Sequence, residues 1–204
     1  GYRRTKDTQY QFRLALIDSE PLQRAKSYLS SFGISTHEFL FQKPIPRYEA
    51  VYAIRTNVRS HFDRINELIQ WPTNSTRDWQ KGFLAGIFDA EGSYSCGILR
   101  ISNTNTAIIN NISDSLRQFD FDHAIETKKT EKPVYNIRIR GGLGEHLRFF
   151  HMTDPAITRK KNFEHQAIKN DASLRVASIE NLGLELPLFD ITTGTGDFIA
   201  NGVI

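Results

Sequence analysis

Cysteine occurs once in this chain, at Cys96, so no internal disulfide can form and a reducing compartment suits the protein. No apolar run approaches the roughly 20 residues that a bilayer-spanning helix requires, so no membrane partner is expected. No signal peptide is visible. Neither charge sign dominates: 26 Lys and Arg against 23 Asp and Glu leave a net charge of +3, which favours an anionic partner only weakly. What remains is a hydrophobic fraction of 39%, enough to build a core in a globular chain of 204 residues. The placement of the basic residues therefore says more than their number.

The most informative stretch is Phe83-Leu84-Ala85-Gly86-Ile87-Phe88-Asp89-Ala90-Glu91-Gly92. It reads as a helix that ends in an acid and a glycine. Gly82, Gly86 and Ala90 recur every fourth position and so share one helical face. Each interior glycine costs about 0.5–1 kcal/mol relative to alanine, so the stripe needs a reason. Close approach of another helix backbone is one, and it would carry Glu91 to the end of the contact. Asp89 points away from the face of Glu91 and is assigned to packing or capping.

Around this helix the periodicities repeat. Upstream, strands are expected over 2–5 and 9–16, a helix over 19–32, strands over 34–42 and 48–56, and a helix over 59–70. Downstream, a short hairpin over 92–103 turns at Gly97. A helix over 104–119, strands over 121–129 and 133–140, and helices over 143–151 and 161–170 follow. The fold class is thus α+β, two repeats of helix, two strands, helix, two strands, helix, with the opening helix of the first repeat not seen. The repeats divide as 1–75 and 76–171. Residues 172–204 form a separate segment.

Leu84–Gly92 resembles the LAGLIDADG motif of homing endonucleases, matching at six of nine positions and differing at Ile87, Phe88 and Glu91. The resemblance implies two side-by-side motif helices, each ending in an acid, above a saddle of two antiparallel sheets that grips double-stranded DNA. It further implies a monomer with pseudo-twofold symmetry, acting on DNA in the cytoplasm. Aligning the halves sets Gly1-Tyr2 against Gly92-Ser93, which places the expected first motif helix immediately before Gly1. The tail, with Phe189-Asp190-Ile191 and then Phe198-Ile199-Ala200-Asn201-Gly202-Val203-Ile204, resembles the C-terminal splicing blocks of inteins. That implies an endonuclease inserted in an intein, whose usual His-Asn pair would follow Ile204.

Cutting a phosphodiester needs an activated water and stabilised charge on the phosphorus oxygens, which carboxylate-held divalent cations supply. Mg²⁺ suits such a site because it takes oxygen ligands and retains water. Glu91 is the acid present. By resemblance, the Ala90 carbonyl joins it on the metal, Lys160 in Pro155–Lys161 serves the water shell, and Asn103 and its first-half counterpart Asp18 lie near the scissile phosphate. Asn103 and Asp18 are also positioned to cap the next helix.

DNA reading is expected from outward strand faces, since a two-stranded ribbon fits the major groove. Alternation places Gln9, Gln11 and Arg13 outward in the first half, and Arg100, Asn136, Arg138 and Arg140 in the second. Lys128 and Lys129 suit phosphate contacts. The second hairpin is short for the family, which implies that this ribbon reads fewer bases. The competing readings are a DNA-binding module without cleavage, an RNA maturase on the same fold, and an unrelated αβ protein that uses the glycine helix for packing alone.

Overall fold

Strict alternation along Gln9-Tyr10-Gln11-Phe12-Arg13-Leu14 makes a strand with one face to the core and one outward. In the computed structural model, which describes residues 2–6, 9–128, 133–163, 178 and 183 (2–6 and 9 by backbone only), it is β2. The elements of the first half are β1 (Tyr2–Lys6), β2 (Gln9–Leu16), α1 (Ser19–Ser31), β3 (His37–Gln42), β4 (Val51–Thr56) and α2 (Arg59–Leu68). The second half contains α3 (Arg77–Glu91), β5 (Gly92–Ser95), β6 (Ile98–Asn103), α4 (Thr106–Gln118), β7 (His123–Lys128), β8 (Val134–Ile139) and α5 (Gly142–Thr153).

Two antiparallel four-stranded sheets result, ordered β1-β2-β4-β3 and β5-β6-β8-β7. The orders are the same when the halves are superposed in sequence, so the repeat seen in the periodicity is a repeat of topology. Most strands and helices begin or end a few residues inside the expected limits, whereas β1 and α5 run one or two residues past them. Ile34, for example, is buried ahead of β3 rather than paired within it. The expected helix over 161–170 is not continuous from its start: Thr158–Lys161 form a single 3-10 turn, and residues 164–170 lie outside the described residues. Lys129 and nearly all of 172–204, including the expected splicing-block hairpin, lie outside them too.

The larger core belongs to the second half. Leu84 and Phe88 of α3 meet Leu99 and Ile101 of β6, Ile112 and Leu116 of α4, Ile137 of β8 and Phe149 of α5, all fully buried. Phe88 sits edge-on to Phe149 and Phe150, at centroid distances of 5.8 and 5.1 Å. Leu22, Ile54, Phe62 and Ile65 form the smaller first core. The β5–β6 turn is made by Cys96 and Gly97, at φ of 52° and 70°, as a two-residue hairpin with right-handed strand twist demands.

The glycines around α3 divide into two kinds. Gly92 lacks a side chain because a Cβ there would lie 2.5 Å from the Phe88 carbonyl oxygen. Gly82, Gly86 and Ala90 are exposed, and a Cβ on either glycine would meet nothing within 4 Å. The stripe expected to meet another helix therefore faces open space among the described residues. It borders a groove of about 490 Å³ between α1 and α3, lined in part by Ala25, Tyr28 and Ala85.

The two glycines should respond in opposite directions. Gly92→Ala is expected to lower unfolding free energy by about 1–3 kcal/mol through overpacking. Gly86→Ala should raise it by about 0.5–1 kcal/mol through helix propensity. Urea denaturation of both variants checks the contrast.

Candidate active site

The site is built on the segment that leaves α5. That helix stops at Asp154, whose φ of 50° is left-handed, and Pro155 cannot continue it. The chain then runs against the last turn of α3. Asp89 accepts the backbone N–H groups of Ala156 and Ile157 at 2.7 and 2.9 Å. This is the capping role expected for Asp89, exercised on another segment rather than on its own helix. Lys160 Nζ donates to the Asp89 carbonyl at 2.7 Å and to the Phe88 carbonyl at 3.3 Å. A cation at the carbonyl end of a helix is favourable, worth about 0.3–1 kcal/mol or more when partly buried. Lys161 Nζ donates to the Pro155 carbonyl at 2.8 Å, which tightens the same turn.

The next link reaches the first half. Arg159 makes a bidentate pair with Asp18, Nε to Oδ1 at 2.6 Å and Nη2 to Oδ2 at 2.8 Å. Arg24 of α1 makes an ion pair with Asp154 at 3.1 Å. Asp18 occupies the N-cap position of α1 but makes no side-chain cap bond, because its carboxylate is committed to Arg159. The hydrogen bond from Arg159, aided by the charge of Lys160, holds the Asp18 pKa below the usual carboxylate value. Burial, then the Arg159 charge, pushes the Lys160 pKa down, opposed by Asp89, Asp18 and Glu91. Asp18 and Glu91 therefore each lie within electrostatic reach of Lys160, and Arg159 is the connection that composition and spacing did not single out.

Glu91 is the last residue of α3, exposed, one residue beyond the exposed Ala90. Asn103 ends β6, two residues past Ile101, which pairs with Gly92. The register thus brings Asn103 to the Glu91 end of the sheet. Its Oδ1 accepts the N–H of Asn105 at 2.8 Å, and Asn105, not Asn103, caps α4 through the N–H of Ala107 at 2.9 Å. Among the described residues, no three His, Cys, Asp or Glu side chains cluster as a metal cage. One exposed carboxylate beside a helix-end carbonyl nevertheless fits Mg²⁺, which is held by one or two carboxylates and keeps its waters. Glu91 and Ala90 are the residues that would hold it.

The outward faces of the sheets carry a repeated feature. Arg13 of β2 stands directly opposite Arg55 of β4, and Arg100 of β6 directly opposite Arg138 of β8. Like charges placed opposite each other destabilise a sheet, so two such pairs at equivalent positions point to a polyanion on these faces. Arg138 also pairs with Glu126 at 3.3 Å and Arg140 with Asp122 at 3.6 Å. Arg100 Nε is a buried donor with no hydrogen-bond acceptor among the described residues. Gln11 Nε2 donates to Asn57 Oδ1 at 3.2 Å, and Lys128 is exposed. Gln9 pairs with Lys6 in the β1–β2 ladder. Asn136 shares the outward face but is only 7% exposed, its Oδ1 accepting from Ser102 at 2.6 Å. It therefore supports the face rather than protruding from it. Arg55, which the sequence did not single out, has its signal in its equivalence to Arg138 in the repeated strand order.

The Asp18–Arg159 pair gives a pH test. Because the folded pKa of Asp18 lies below the unfolded value, its stabilisation is complete above about pH 4 and is lost as pH falls through the folded pKa. Asp18→Asn should cost about 1 kcal/mol at pH 7, discounted for the exposed guanidinium, and next to nothing near pH 2. Denaturation of the two proteins across that range measures the convergence.

Comparison with known proteins follows the same lines. Residues 78–152 match the LAGLIDADG-like domain. No curated protein is similar enough in sequence to count as a relative. Among solved structures, mesophilic variants of the homing endonuclease I-DmoI superpose with a TM-score of 0.58 at 16% identity, over 74% of this chain and 86% of theirs. I-DmoI in complex with DNA and Ca superposes with a TM-score of 0.58 at 16% identity, over 74% and 80% of the two chains. I-DmoI in complex with DNA and Mn gives 0.55 at 17%, over 74% and 86%. Residues 78–152 are thus similar to a LAGLIDADG-like domain, and the matched 74% of the chain has a fold like that of the homing endonuclease I-DmoI.

Proposed function

We propose that this chain acts as a site-specific double-strand DNA endonuclease of the intein-homing type, which hydrolyses phosphodiesters with Mg²⁺. The observation that carries the reading is the opposed arginine pair repeated on both sheets, with Glu91 at the junction of the halves. The duplex lies across the outward faces, its phosphates engaged by Lys128 and Lys129 and its base edges by Gln9, Gln11, Arg13, Arg100, Arg138 and Arg140. The partner acid of Glu91 is carried by a second glycine-striped helix seated on Gly82, Gly86 and Ala90. The open groove beside that stripe supports this arrangement. Residues 1–75 and 76–171 then act as a monomeric, pseudo-symmetric pair, and 172–204 as part of the splicing block.

The metal, when bound, polarises the attacking water and the scissile phosphate. Glu91 supplies its carboxylate and Ala90 its carbonyl. Lys160, fixed on the helix-end carbonyls, holds positive charge beside the acids, and Asn103 and Asp18 shape the pocket from the two sheet ends.

Duplexes retained from a randomised pool should be nicked or cut in Mg²⁺ by the protein with both motif helices in place. Glu91→Gln should slow cutting by about a hundredfold or more while leaving duplex affinity within about twofold. Unchanged cutting in that variant would remove Glu91 from the chemistry.

A further inference from the structure

The two outward faces are equivalent at the arginine pairs and different beside them. In the first sheet His37 pairs with Arg55, and in the second Ala124 pairs with Arg138. His37 and Phe39 in β3 then correspond to Ala124 and Glu126 in β7, and Phe41 follows in an irregularity of β3 between Leu40 and Gln42 that β7 lacks. The arginines follow their neighbours. Arg138 is held by the carboxylate of Glu126 at 3.3 Å, whereas Arg55 lies over the ring of Phe39 at 4.7 Å. Arg13 likewise lies over Phe41 at 4.6 Å. His37 is stacked on Phe39 with an interplanar angle of 4°. Phe41 is 44% exposed, on a face that both arginines make positive.

Phenyl rings on a solvated, cationic face are costly unless something apolar meets them. A duplex offers one such group on its major-groove base edges, the C5 methyl of thymine. The rings are poorly suited to stacking on unpaired bases. One face of each is occupied by a guanidinium, which a stacking base would have to displace. Resting on the DNA-binding reading above, we propose that Phe39 and Phe41, braced by Arg55 and Arg13, form a thymine-methyl contact strip. The half-site under the first sheet is then read partly by methyl groups, while the half-site under the second, with Glu126 in the place of Phe39 and Lys128 farther along the edge strand, is read by polar contacts.

The test uses the 204-residue chain and a duplex it retains from a randomised pool, with each thymine replaced in turn by deoxyuridine, which removes only the methyl. Burying one methyl is worth about a three- to fivefold change in Kd. The expected result is a loss of that size at thymines confined to one half of the site. The loss should vanish in Phe39→Ala/Phe41→Ala and persist in Phe39→Leu/Phe41→Leu, which keeps an apolar contact. Two results would overturn the assignment alone: methyl removal without effect, or an equal effect in the alanine variant. Tighter, ring-dependent binding of single-stranded RNA or DNA would replace it with base stacking. A pool from which no duplex is retained would overturn the DNA-binding reading, and this inference with it.

Discussion

The last turn of α3 exposes the negative end of a helix dipole at the point where its acid must emerge, and the rest of the molecule is arranged around satisfying that end. Lys160 takes the Phe88 and Asp89 carbonyls, and the Asp89 side chain takes the amides of Ala156 and Ile157. Gly92 lets the chain turn into β5 without colliding with the Phe88 carbonyl. These contacts fix the direction in which Glu91 leaves the helix. They also place the basic segment 158–161 beside it, with its cations aimed at backbone carbonyls and at Asp18 rather than at bulk solvent.

Charge also joins the halves. Asp18–Arg159 and Arg24–Asp154 span the joint, whereas the apolar cores lie within each half. Partly exposed ion pairs contribute modestly, about 0.2–1 kcal/mol each, so this joint by itself is weak in comparison with either core. The exposed glycine stripe beside it is the surface shaped for closer packing. The same residues that lower helix propensity in α3 leave room for a backbone to approach.

The sheets repeat one electrostatic constraint and vary the surroundings. In each, two arginines face each other across the central strands, a like-charge arrangement that neighbouring side chains offset in different ways. Beside them the two halves differ at equivalent positions, Phe39 against Glu126, with a ring-supported guanidinium in one and a carboxylate-held guanidinium in the other. Identical topology therefore does not mean identical recognition.

Much of this was legible in the order of residues. Alternation in Gln9–Leu16 and the helical spacing of Ile109, Ile112 and Leu116 are local patterns, so the strands, the helices and their repeat followed from periodicity. The acid at the end of a glycine-striped helix was equally local. What required the tertiary structure were the partners of short polar side chains. Asp18 looked like a cap and is an ion-pair partner of Arg159, 141 residues away. Asn103 yields the capping role to Asn105, and Asn136 is buried on a face that alternation alone would leave open to solvent. The opposition of Arg13 to Arg55 and Arg100 to Arg138 depends on strand register across a whole repeat. Register is set by the packing of the core face, and no local pattern carries it.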